Sequence, residues 1–342
     1  MKDIKFDFND VLIQPAQITD ISSRSEINPF DAFGFLPLIT APMDTVINAE
    51  NQQVFFDNNI IPCQPRGIES GHQGFTSYSL VQFKEKFIDQ DGVELTSKIL
   101  IDMANGHMKE LIEVTKEAKE IYPDMVLMVG NVAHPRTYLE LSNAGADYVR
   151  VGIGNGGGCL TTQQLGVGYP MGSLIRDCFH MSLALDEPAK IVADGGMKDY
   201  SDIIKALALG ADYVMVGSIF NKALESASPC LKPNTKLAGG KWAKIDLEAA
   251  QLRLNAGQKV HKMFRGMSTK EVQKEWGVEK LKTSEGIVKY QEVEYTIDGW
   301  VENFESYLRS AMSYTNSREL KAFCGGVKMI RITDNALNRF KK

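Results

Sequence analysis

Short β-branched apolar runs alternate with amphipathic stretches through the middle of the chain. The runs fall at residues 97–102, 124–129, 146–151 and 189–193. Between them the apolar residues recur at helical spacing. Over 108–121 this puts Leu111, Ile112, Ala118 and Ile121 on one face, and over 200–209 it does the same for Ile203, Ile204 and Leu207. Strands and helices alternating at this interval predict βα units and a parallel sheet. An internal echo strengthens the reading: Gly-Ala-Asp-Tyr-Val-Arg-Val-Gly at 145–152 returns as Gly-Ala-Asp-Tyr-Val-Met-Val-Gly at 210–217. Each copy opens on a glycine suited to a helix C-cap and closes on another at the strand end.

Polar and glycine-rich residues gather where these strands stop, at 102–106, 130–131, 154–159, 194–196 and 217–218. A (β/α)8 barrel builds its site on that face from every strand end. A doubly wound open sheet would concentrate its loops at one switch point instead. The expectation is therefore a TIM barrel as a single catalytic domain over 1–342. Beyond residue 217 the pattern changes. The chain reads as a loop at 234–244, a helix within 245–262 that carries His261, and a polar loop excursion at 264–295 over the barrel mouth. A last barrel helix at 302–312 and a tail at 329–333 complete it.

With 44% hydrophobic and 24% charged residues in 342, the chain can bury a substantial core. A net charge of −5 marks no nucleic-acid or membrane surface, and the opening residues lack the apolar stretch of a secretory signal. A cytoplasmic protein is expected. Its five cysteines, Cys63, Cys159, Cys178, Cys230 and Cys324, are odd in number, scattered and without metal-ligand spacing.

One cysteine stands apart. The loop Gly-Ile-Gly-Asn-Gly-Gly-Gly-Cys at 152–159 ends on Cys159, with Thr161 two residues on. Glycines let a backbone approach a ligand closely, and a thiol at the mouth of such a loop is placed to act as a nucleophile. The alternative is a buried structural cysteine in a turn.

In order along the chain, Ala-Pro-Met-Asp-Thr-Val at 41–46, the 152–170 segment through Gly-Val-Gly-Tyr-Pro, Asp-Gly-Gly at 194–196, Arg-Gly-Met-Ser at 265–268 and Ser-Glu-Gly at 284–286 resemble the IMP dehydrogenase/GMP reductase family, and the reductase branch most. The resemblance implies NADPH-dependent reductive deamination of GMP, or of a close analogue such as dGMP, to IMP and ammonia. The route is a thioimidate on Cys159, with Thr161 and Glu285 handling protons. It implies that Met43, Asp194, Gly196, Gly217, Ser218, Arg265, Gly266, Met267, Ser268, Lys282, Ser284 and Gly286 bind the nucleotide, with phosphate on the amides and hydroxyls near Gly196, Gly217 and Ser218. Asp102, Asn105 and Gly152 would face the cofactor, and the carbonyls of Gly154, Gly156 and Cys159 are suited to K+. A homotetramer is implied as well.

The segment from 268 to 284 has no Arg-Tyr pair to activate water, which disfavours the dehydrogenase reading, and 46–98 has no room for the CBS modules many dehydrogenases carry. An IMP dehydrogenase lacking CBS domains and a non-catalytic purine-nucleotide-binding protein are the competing readings. Several positions depart from the family pattern: Asn155 for Pro, Leu160 for Thr, Thr162 for Arg, Phe264 for a phosphate-binding Tyr, and Lys282 for Arg. The early barrel between 46 and 98 is shorter by about one βα unit, and 62–66 does not read as a strand.

Overall fold

Eight parallel strands form a ring with the chain's catalytic-loop candidates at one end. The structure, a computed structural model, describes residues 4–71, 73–90, 93, 97–234, 242–267, 269 and 286–340. After an outlying strand β1 (Val11–Ile13), the ring is built from β2 (Leu38–Thr40), β3 (Cys63–Gln64), β4 (Phe75–Tyr78), β5 (Lys98–Asp102), β6 (Leu127–Val132), β7 (Tyr148–Val151), β8 (Lys190–Asp194) and β9 (Tyr213–Val216). Successive strands pair in parallel, and β9 pairs with β2. An Ile39–Ile61 bridge joins β2 to the start of β3. There Thr40 N–H donates to Ile61 O at 3.1 Å and Ile61 N–H to Leu38 O at 3.0 Å. The fold is the (β/α)8 barrel expected from the sequence.

The two echoing segments are β7 and β9 with their flanks. Gly145 and Gly210, at φ of +94° and +115°, turn the chain out of the preceding helices, a backbone region that costs glycine least. Because side chains alternate across a strand, the two copies send equivalent residues inward. Outward-facing Val149, Val151, Val214 and Val216 join the shell between sheet and helices. Inward-facing Tyr148, Tyr213 and Met215 fill the barrel with Phe35, Ile39, Cys63, Phe75, Leu100, Met128 and Val192. The interior is thus apolar at its lower levels, and its polar residues lie at the C-terminal rim.

Three departures from expectation have physical reasons. Residues 63–64 do form a strand, too short to show a period, so the compressed early segment keeps its strand and loses helix instead: among the described residues of 65–74 none is helical. His261 lies on a strand, not a helix. The helix Leu247–Asn255 stops, and β12 (His261–Arg265) follows as part of a four-stranded antiparallel sheet with β10 (Cys230–Pro233), β11 (Trp242–Ile245) and β13 (Val288–Glu292). Tertiary pairing overrides weak helical periodicity here, and His261 packs its ring 4.6 Å from Trp242. The tail is also ordered: β14 (Met329–Arg331) pairs antiparallel with β1. The excursion expected at 264–295 is framed by β12 and β13, and most of the segment joining them lies outside the described residues. Ile297–Tyr314 forms the last long helix.

Candidate active site

Gly152 follows directly on β7 and starts the cysteine loop. Its φ is +131°, and a Cβ there would strike the Asp194 carbonyl of the neighbouring strand end, so only glycine fits. Further on, Asn155 and Gly156 pack against Gly195, joining the loop to the end of β8. At Gly158 the loop meets the β12–β13 arm: a Cβ would stand 2.8 Å from Phe264 and 3.2 Å from Gly266. The arm is held there by backbone pairing, with Ile287 N–H donating to Gly158 O at 3.1 Å and Cys159 bridged to Gly286. Glycines at 158, 266 and 286 let three backbones meet beside the thiol.

Cys159 is half-buried, and its Sγ lies 3.2 Å from Thr161 Oγ1, the first residue of the short helix Thr161–Leu165. Burial pushes Cys63 up to about 12 and also raises Cys178 and Cys324, while Cys230 is buried in the four-stranded sheet's own core. Glu285, the proposed acid, lies outside the described residues, as do Ser268, Lys282 and Ser284. Gly286, directly after Glu285, is placed against Cys159.

Beneath the loop the barrel rim holds a charged network. Arg150 on β7 is 6% exposed. It donates to Asp102 Oδ1 at 2.6 Å, to Asn131 Oδ1, and lies 3.5 Å from Asp194 Oδ2. Gly130 sits between Asp102 and Arg150 in the strand register. A Cβ there would lie 2.6 Å from that of Arg150, so its absence clears the span. Asn131 ties the network to the loop, donating 2.7 Å bonds to Gly152 O and Asp194 Oδ2. Arg66, after β3, pairs with Asp102 Oδ2 at 3.2 Å. Burial works against the Asp102 carboxylate, but Arg150 and Arg66 together hold its pKa below the usual range. For Asp194, burial prevails over Arg150 and the Asn131 bond and raises the pKa.

The remaining candidates fall into place around this network. Asp194 ends β8, and the next helix is capped by Asp199. Met43 packs against Gly217, with its sulfur 3.1 Å from where a Cβ would be. Ser218 follows Gly217 at the end of β9. Arg265 turns its guanidinium to Asp44, with Nε 3.1 Å from Oδ2. Gly196 lies against Asn155 and Met171. Asn105 is exposed and accepts from His107 N–H at 3.2 Å, an Asx turn. Met267 is partly buried beside Gly266. A cleft of about 460 Å³ opens beside β5, lined by Arg66, Leu80, Lys84, Met103, Ala104 and Met108.

Sequence reasoning missed Arg66, Asp44 and Arg150. Arg150 did leave a signal: a charged residue in Tyr-Val-Arg-Val, where the echo carries Met215. A buried strand tolerates such a charge only when it is paired.

The comparisons accord with the fold and the loop. A family model described as IMP dehydrogenase / GMP reductase domain matches residues 86–340. GMP reductase 2 of Homo sapiens is 28% identical over 367 residues, covering 97% of this chain and 95% of its own length. GMP reductase of Buchnera aphidicola subsp. Schizaphis graminum (strain Sg) is 29% identical over 371 residues, with 99% of each covered. GMP reductase 1 of Mus musculus is 29% identical over 366 residues, covering 97% and 96%. With a barrel of eight parallel strands, a glycine loop bearing Cys159 and a family match over most of its length, this chain belongs to the IMP dehydrogenase/GMP reductase family.

Proposed function

We propose that the protein is an oxidoreductase that reduces GMP, or a close guanine nucleotide, to IMP and ammonia. The observation that carries this is Cys159 at hydrogen-bond distance from Thr161, on a loop fastened to both the charged rim and the β12–β13 arm. Cys159 sulfur would bond to purine C2 as the exocyclic amine departs with a proton, leaving a thioimidate. Splitting the exchange in two lowers each barrier. Thr161, with Glu285, would deliver the proton to the departing amine. Bound NADPH would supply the hydride that replaces the C–S bond and returns the thiolate. Asp194, with one carboxylate oxygen held by Asn131, would accept from the ribose hydroxyls. Asp102 serves the cofactor-facing side by fixing Arg66 and Arg150, and the adjoining cleft gives room for part of a dinucleotide. Met103 lines that cleft, and Asn105 follows it two residues on.

The Gly154, Gly156 and Cys159 carbonyls suit a monovalent cation. Gly156 O already accepts from Cys159 N–H at 3.0 Å, and a carbonyl keeps a second lone pair for an ion. The assembly is proposed to be a homotetramer in the cytoplasm. Among the described residues no helix is long and apolar enough to cross a membrane.

The test is to mix the protein with GMP and NADPH and follow the fall in reduced-nicotinamide absorbance. Wild type should turn over, and Cys159→Ala should lose at least ~10³ of the rate. An active Cys159→Ala variant removes the covalent route. NAD+ reduction with IMP and no GMP turnover would make it the dehydrogenase instead.

A further inference from the structure

Lys289 has no role in the reaction as described, yet it lies within the site. It sits on β13 directly opposite Phe264 of β12, which places the two side chains on one face of the sheet. Its ammonium lies 5.0 Å from the centre of the Phe264 ring, and that ring packs under Gly158 of the cysteine loop. A Cβ built on Gly157 would be 3.6 Å from Lys289 Nζ and 3.5 Å from Ser218 Oγ. One point above the loop is therefore flanked by an ammonium and a hydroxyl, with a glycine leaving the space open.

The charge balance at this point is unusual. Among the described residues no carboxylate pairs with Lys289. Its cationic neighbour, Lys222, is already matched by Glu294 at 2.8 Å. Burial, with Lys222 adding to it, lowers the Lys289 pKa. A half-buried ammonium with only an aromatic face for company gains most from an incoming anion. Phe264 brings a ring and no hydroxyl, so it cannot itself donate to that anion.

We infer that Lys289 is a direct ligand of the substrate's terminal phosphate, pairing with it across Gly157 opposite Ser218. The inference deepens the nucleotide reading above and rests on it. It commits the site to a phosphomonoester dianion: an uncharged nucleoside leaves the ammonium unpaired, and a phosphodiester brings half the charge. Charge-assisted N–H···O bonds are stronger than neutral ones, so the ammonium contributes more to binding than a hydroxyl in its place.

The experiment is calorimetric titration of the full-length protein with GMP and with guanosine, for wild type, Lys289→Met and Lys289→Arg. Lys289→Met should weaken GMP binding ~10- to 100-fold, the range for a hydrogen bond to a charged group, and leave guanosine binding within about two-fold, which also reports an intact fold. Lys289→Arg should recover most of the GMP affinity, and added salt should weaken wild type more than the Met variant. Equal GMP affinity in wild type and Lys289→Met overturns the assignment. So does a wild type that binds GMP no better than guanosine, or that takes up no GMP. If GMP binds through its phosphate and no NADPH is oxidised, the reductase reading fails and the Lys289 assignment stands.

Discussion

At the scale of single residues, Arg150 is the side chain whose loss should be felt most widely. It sits between Asp102 and Asp194 under the cysteine loop, and its span across β6 to Asp102 passes Gly130, which has no side chain. Buried ion pairs add little net stability over apolar packing, but removing one partner strands the other. Arg150→Met should therefore destabilise the protein by about 3–5 kcal/mol, measured by urea unfolding. The variant should also lose nucleotide turnover, because Asn131 and the Gly152 backbone hang from the same network. Unchanged unfolding midpoints would show that Arg66 alone compensates Asp102. Cys159 itself needed only the glycine run and the neighbouring Thr161 to be read as a nucleophile. Lys289 could not be read that way, since its place at the site depends on pairing with Phe264 across a long excursion.

Elements show a different balance. The helix Tyr200–Ala208 is capped by Asp199, whose side chain accepts from Asp202 N–H at 3.0 Å. Burial, with Asp199 adding to it, pushes the Asp202 carboxyl up to about 6 from its ordinary 3.8. A raised carboxyl gives stability that is full below the unfolded pKa and lost as pH rises through the folded one. Asp202→Asn keeps the oxygen that accepts from Lys198 N–H and removes the charge. Melting temperatures of wild type and variant should coincide near pH 4, and the variant should become the more stable as pH rises through 6. A constant difference across that range would contradict the shift. Long elements such as this helix and β5 to β9 were legible because each carries several periods of pattern. Residues 63–64 and His261–Arg265 were not, the first for brevity and the second because pairing with β13 outweighed a local preference.

Across the whole molecule the two ends of the chain meet. β1 and β14 pair in register from Val11–Arg331 to Ile13–Met329, extended by Gln14 N–H to Lys328 O at 2.8 Å and Ile332 N–H to Asp10 O at 2.9 Å. Next to this pair, Phe6, Phe8 and Val11 are buried in the main core. A chain ending at residue 328 should melt about 1–3 °C lower, as expected in a chain of this length for a loss of about 1–2 kcal/mol, and should be cut by trypsin near Lys5. Identical melting and proteolysis would mean the clasp carries no stability. Nothing in the pattern at 329–333 pointed to this partner more than three hundred residues away.

The order of polar, apolar and glycine residues alone determined that this chain makes repeated βα units, that glycine and polar residues gather at their C-terminal ends, and that Cys159 and Thr161 stand together. Those are local properties, set by periods of two and 3.6 residues and by glycines at strand ends. Only tertiary structure decided that the ring closes through a two-residue strand, that Arg150 lies buried between two carboxylates, and that Lys289 faces Gly157 and Ser218. Each of these joins residues far apart in sequence, and such contacts are selected by packing, pairing and charge neutralisation, none of which a single stretch of chain encodes.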